Sequence, residues 1–145
     1  MRASVLLDTG PLVAYFNRRD RWHRWAVDQM AALAPPLVTC EPVLTEACFL
    51  IQRAGGRPAD LLRKVTQRGL EIGIHIEDET WAIESLMQRY TDTPMSLADA
   101  CLVRLTERMS DCLSGSVPGT FRPYRMVASI PSGIRLGRRL ETAAA

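Results

Sequence analysis

The chain has 145 residues, 47% hydrophobic and 23% charged, with a formal net charge of +2. That length suits a single domain with a real core, and the balance is ordinary for a soluble globular protein, not a disordered or fibrous one. The net charge is too small to argue for a nucleic-acid partner by itself, and no stretch approaches the roughly 18 apolar residues of a membrane span.

The first element is an apolar strand from Ala3 to Leu7, which runs straight into Asp8, Thr9, Gly10 and Pro11. A short unbroken apolar run bounded by turn residues is the mark of a buried parallel strand. Asp8 then stands at the carboxyl end of that strand, the edge where open α/β sheets bind ligands. Pro11 to Phe16 is expected to be a short helix opened by proline. Asn17 to Asp20 is a polar turn, with Asp20 placed to cap a second helix striped by Trp22, Trp25, Ala26, Met30 and Leu33. Pro35 and Pro36 stop it. Leu37 to Cys40 is a second strand. Pro42 opens a third helix to about Ala54, with Val43, Leu44, Ala47, Leu50 and Ile51 inward and Gly55-Gly56 at its end. A fourth helix runs from about Pro58 to Arg68. Leu70 to Ile76 alternates at period two, as a third strand would.

Glu77, Asp78 and Glu79 begin the next helix, where acids complement the helix dipole. Tyr90 to Pro94 is a loop, and Ser96 begins a helix to about Met109. From about Leu113 the character changes: turn residues, then a tail with many arginines and Glu141 as its one acid. Val127 to Ile130 is a possible last strand, and Leu140 to Ala145 a mobile end. Strands alternating with helices predict an α/β fold with a mainly parallel sheet, and residues 1–145 form one domain with an atypical C-terminal segment.

Cys40, Cys48, Cys101 and Cys112 form no C-x-x-C pair, and each lies in or beside an apolar segment. They are expected to be buried free thiols in a reducing compartment, which points to the cytoplasm. His23 and His75 belong to no ligand-spaced motif. Seventeen of the 18 basic residues are arginines, Lys64 being the one lysine. Arginine contacts phosphate bidentately as lysine does not, although a GC-rich coding bias gives the same composition.

Three acids stand out by their setting. Asp8 ends a strand, where it also suits a helix cap. Glu46 has Pro42, Val43, Phe49 and Leu50 as its helical neighbours, an apolar setting for a carboxylate. Asp99 follows Ser96 by three residues, the spacing of a capping box, with Leu102 and Val103 above it. The three lie in separate strand–helix units, and such units bring their ends to one sheet edge. Convergent carboxylates repel one another, and a divalent cation removes the conflict. Hard oxygen donors suit magnesium or manganese. The chemistry expected is metal-assisted phosphodiester hydrolysis.

Val5 to Val13, Val43 to Ala47 and Met95 to Ala100 together resemble the PIN-domain family, with the nearest likeness to the VapC-type toxins of bacterial toxin–antitoxin pairs. The resemblance runs from about residue 3 to residue 109. It implies a three-layer α/β/α sandwich and a Mg2+- or Mn2+-dependent ribonuclease acting on RNA. It also implies a small antitoxin partner and often a homodimer. By position, Asp8 and Asp99 would be metal ligands, Glu46 would complete the acidic cluster directly or through water, and Thr9 would be a supporting hydroxyl.

One departure stands against the family pattern. A Thr-x-Asp-x-Asp-Phe segment commonly supplies a fourth acid there, and Phe121 to Arg125 matches its end. Pro118 and Thr120 occupy the places where acids are expected. The nearest other acids are Asp92, which also suits a turn, and Asp111. The alternative is therefore a weakened domain that binds RNA or antitoxin without efficient cleavage.

Other classes fit less well. An aspartic protease shares the Asp-Thr-Gly run but is mostly β. Receiver domains need a late lysine, haloacid dehalogenases need Asp-x-Asp, and no G-x-x-x-x-G-K-[ST] phosphate loop is present. Arg18 and Arg19, with Arg21 and Arg24 close by, are candidates for RNA phosphate contact. Tyr15, Phe16, Trp22 and Trp25 can stack on bases, but at helical spacing they suit a core or a dimer interface better.

Overall fold

We describe the architecture from a computed structural model over residues 5–33, 37–90 and 95–114, with side chains to residue 108. Three short strands, β1 (Val5–Leu6), β2 (Leu37–Thr39) and β3 (Leu70–Ile72), form a parallel sheet in the order β1-β2-β3. Val5 pairs with Leu37, and Leu37 pairs with Leu70. Parallel neighbours need long crossovers. Helices α1 (Thr9–Phe16) and α2 (His23–Ala32) join β1 to β2, while α3 (Glu41–Arg53) and α4 (Pro58–Thr66) join β2 to β3. Helices α5 (Ile76–Arg89) and α6 (Leu97–Ser114) follow. The result is a PIN-like α/β/α arrangement.

The core explains the strand composition. Leu6 and Leu7 from β1 and the residue after it are fully buried, as are Val43 and Ile51 of α3, Leu61 of α4, Ile74, and Cys101 and Leu105 of α6. Helices α1 and α2 meet through two small residues, Ala14 and Ala26, both without exposed surface to speak of, with Tyr15, Trp22 and Trp25 packed around them. Those aromatics and Phe16, which packs on the main core, therefore serve packing between helices.

Several boundaries differ from expectation, each for a local reason. Helix α1 starts at Thr9, not Pro11, because Asp8 takes the cap position and its Oδ1 accepts from the Thr9 amide at 2.6 Å. Pro11 still falls in the first turn, where its missing N–H costs nothing. Asp20 does not cap α2 directly; its Oδ1 accepts from Trp22 N at 2.8 Å, and Trp22 is the cap residue. In the stripe expected on α2, Ala26 alone is buried, while Trp25, Met30 and Leu33 are partly covered. Leu50, placed inward by its spacing, is 43% exposed.

Helix α3 ends at Arg53, and Gly55 follows at φ +80°, a conformation open to glycine without strain. Helix α4 ends at Thr66, two residues early. Arg68 takes the left-handed position (φ 56°), while the Gly69 amide donates to the Lys64 carbonyl at 3.0 Å.

Strand β3 stops at Ile72, well before Ile76. The Gly73 amide still donates to the Thr39 carbonyl at 2.9 Å, but the chain then turns into α5. A Cβ on Gly73 would lie 2.5 Å from Val38 Cγ1 and 2.9 Å from Leu105 Cδ1. Glycine lets β2 and α6 close over the strand end.

Glu79, expected to serve the α5 dipole, is instead buried. Its carboxylate accepts from Arg104 Nε at 2.6 Å and pairs with Arg108 at 3.2 Å, tying α5 to α6. Pro35, Pro36, Asp92, the rest of the loop to Pro94, and everything after Ser114, including Pro118, Thr120 and the Val127–Ile130 strand, lie outside the described residues, as does the side chain of Asp111.

Candidate active site

Asp8 is carried to the sheet edge by two buried features behind it. Leu7 N donates to Val38 O at 2.8 Å, which extends the β1–β2 ladder by one residue. Thr39, with no exposed surface, donates its Oγ1 to Leu7 O at 2.8 Å. This hydroxyl clips the ends of β1 and β2 together just before Asp8 leaves the strand. A hydrogen bond of this kind contributes about 1 kcal/mol and fixes a direction for the following residue.

Asp8 itself is only 8% exposed, and Thr9 is buried beside it. The Thr9 hydroxyl donates to Glu46 Oε2 at 3.0 Å across 37 residues of sequence. This bond adds a polar tie at the sheet edge to the apolar packing of α1 against α3. Glu46 is not on a covered face of α3, as its apolar neighbours suggest; it is exposed, and two of those neighbours, Phe49 and Leu50, are exposed with it.

Asp99 does two things. Its Oδ2 accepts from Ser96 N at 3.0 Å, and Ser96 Oγ accepts from the Asp99 amide at 3.1 Å, a reciprocal capping box at the start of α6. It also lies close enough to Asp8 to act on it electrically. Burial pushes the Asp8 carboxyl above the ordinary Asp range, and the hydrogen bond from the Thr9 amide opposes this. The charges of Asp99 and Glu46 then push it further up. All three acids therefore act on one region, and no arginine or lysine among the described residues pairs with any of them.

Among the described residues no three acid, histidine or cysteine side chains close into a ready-made metal shell. That openness still suits a small hard cation. Magnesium keeps several waters and takes one or two carboxylates, so it does not need an all-protein cage. The donors at this edge are carboxylate and hydroxyl oxygens, and the like-charge repulsion felt at Asp8 is what a cation offsets. The residues present fit such an ion.

Beneath the acids lie two thiols. Cys40 follows β2 as Asp8 follows β1, and Cys101 stands two residues after Asp99; both are buried and free. The hydrogen bond between them, together with burial, pushes the Cys40 thiol well above its ordinary value. Cys40 therefore stays neutral and adds no charge under the acids. Cys48 is half-buried.

Arg18 and Arg19 are exposed in the turn after α1. Asp8 caps the other end of that eight-residue helix, so the two arginines stand about 12 Å or more from it. They are not at the acid edge itself.

A parallel α/β/α domain with acids from three separate elements facing one sheet edge has the layout of a nuclease-type fold. The PIN domain model matches residues 5–110, and the chain belongs to the PIN domain family. PIN domains are generally nucleases, often metal-dependent ribonucleases. No curated protein matches the chain.

Thr39 is a positioning side chain that no sequence motif marks. One polar residue inside an otherwise apolar buried strand was the available signal.

Proposed function

We propose that this chain is a magnesium- or manganese-dependent endoribonuclease, the toxin of a toxin–antitoxin pair. The observation that carries the enzymatic reading is the PIN domain match over residues 5–110, together with the placing of Asp8 and Thr9 at the end of β1 and the reach of Glu46 to Thr9. Asp8 and Asp99 would hold the ion, with Glu46 completing the acidic group directly or through water. The ion when bound supplies Lewis-acid charge for the phosphate and acidifies water. Thr9 holds one oxygen of Glu46 beside Asp8. The Ser96 capping box fixes the Asp99 backbone and one of its oxygens, so its carboxylate is oriented before substrate arrives. The resemblance to VapC-type toxins supports a small antitoxin partner, a homodimer and a cytoplasmic setting. No helix among the described residues is long and apolar enough to cross a membrane.

A purified sample incubated with a panel of structured RNAs is expected to cut at least one of them with magnesium or manganese, to stop with EDTA and to recover with added manganese. The absence of acids at Pro118 and Thr120 favours a second reading, a weakened domain. RNAs left intact by a protein that still binds the product of a neighbouring small reading frame would decide for it.

Arg18 and Arg19 would hold phosphates some nucleotides away from the reacting one. Replacing both by Gln is expected to weaken RNA binding several-fold at low salt, with the gap closing as salt rises. Equal affinity at low salt contradicts this role.

A further inference from the structure

Helix α3 carries an exposed stripe that starts at the acid site. Glu46, Phe49, Leu50 and Arg53 fall at i, i+3, i+4 and i+7, and all four face solvent. Phe49 is 57% exposed, a large apolar ring left in water one helical turn from a site acid. The Arg53 guanidinium lies over that ring, 5.6 Å from its centre. Arg53 has no carboxylate partner among the described residues. Trp81 is more exposed, at 72%, but it stands on α5, which carries none of the three acids.

We infer that Phe49 is a stacking platform for a base of single-stranded RNA next to the cleaved bond, with Arg53 on a neighbouring phosphate. The inference rests on the ribonuclease reading above and adds to it a residue that positions the substrate base. Three observations carry it. The ring lies about 4.5 Å along the helix from Glu46, a span of the order of one nucleotide. An aromatic face beside an arginine is the arrangement that binds unpaired bases and their phosphates together. The charge is also complementary, since Arg53 is free to meet a phosphate. Paired bases offer no open face to such a ring, so a continuous duplex is disfavoured.

The test compares the parent with Phe49→Ala, Phe49→Trp and Arg53→Gln, with EDTA present so that RNA stays intact. The probe is a short single-stranded RNA containing 2-aminopurine, read by anisotropy and by quenching of the base. Loss of stacking should weaken binding roughly ten-fold in Phe49→Ala and abolish quenching. Phe49→Trp should bind and quench at least as well as the parent, a hairpin with the same sequence in its stem should bind the parent and both Phe49 variants alike, and Arg53→Gln should weaken binding of the single-stranded probe several-fold at low salt. Circular dichroism should be unchanged, because the ring is on the surface. Equal affinity and quenching in Phe49→Ala, from a parent that binds and cuts RNA, overturns the stacking role alone. The same result with a changed molecular mass by light scattering assigns the stripe to a protein interface and also overturns it. A parent that binds no RNA overturns the ribonuclease reading and the stacking role with it.

Discussion

Asp8→Asn is expected to lose RNA cleavage by roughly a thousand-fold while unfolding at a higher temperature than the parent in metal-free buffer. The loss follows from removing a charged ligand at the point where the three acids act together. A bound cation's charge contributes several kcal/mol to the reaction, and each 1.36 kcal/mol is about ten-fold in rate. The gain in stability follows from the raised pKa of Asp8, caused first by burial and then by Asp99 and Glu46. Below the ordinary Asp value of 3.8 the carboxyl is protonated in both folded and unfolded chains, and no penalty exists. As pH rises through the raised folded value, the unfolded chain is already ionised while the fold resists ionisation. The resulting penalty is complete above that value. Asparagine removes it, so the variant's stability should change less between mildly acid and neutral pH. Its side-chain oxygen still accepts from the Thr9 amide, so the cap survives. Manganese should raise the melting temperature of the parent and leave that of Asp8→Asn nearly unchanged. Asp99→Asn should lose cleavage similarly and keep its capping box. Urea or thermal unfolding at several pH values checks the stability half. A variant as active as the parent contradicts the other half.

Leu105→Ala should destabilise the fold by about 3 kcal/mol. Leu105 is 2% exposed, fully inside the core, and sits where a Cβ on Gly73 would touch it. Removing its methyl groups leaves a hollow between α6 and the end of β3 that neither backbone can readily fill. For a domain of this size the melting temperature should fall by roughly 10 °C or more. The same helix carries Asp99, so the variant should also lose activity at temperatures where α6 loosens before the rest melts. A change below about 1 kcal/mol in urea unfolding would show that this part of the core is not closed as described.

The sequence made the fold legible where one strong signal acted alone. The apolar run into Asp8, the Pro42 helix start and the Ser96–Asp99 spacing each map onto an observed element or cap. Reasoning from periodicity failed at Leu50 and Glu46 for one shared reason. Helical spacing tells which residues share a face, but not whether another element covers that face. The apolar neighbours that made Glu46 look sheltered are themselves exposed. Contacts between distant segments were not legible at all. The Thr39 clip on Leu7 and the Glu79 ties to Arg104 and Arg108 exist only once the sheet and the helices have packed. The early end of α4 carries no sequence mark, because Arg68, not a glycine, holds the left-handed position.

The most direct measurement is a crystal soaked in manganese and read by anomalous scattering. The account predicts a peak at the sheet edge with oxygens of Asp8 and Asp99 as ligands and Glu46 on the ion or one water away. A peak bound elsewhere, or none at an occupancy-saturating concentration, would contradict it.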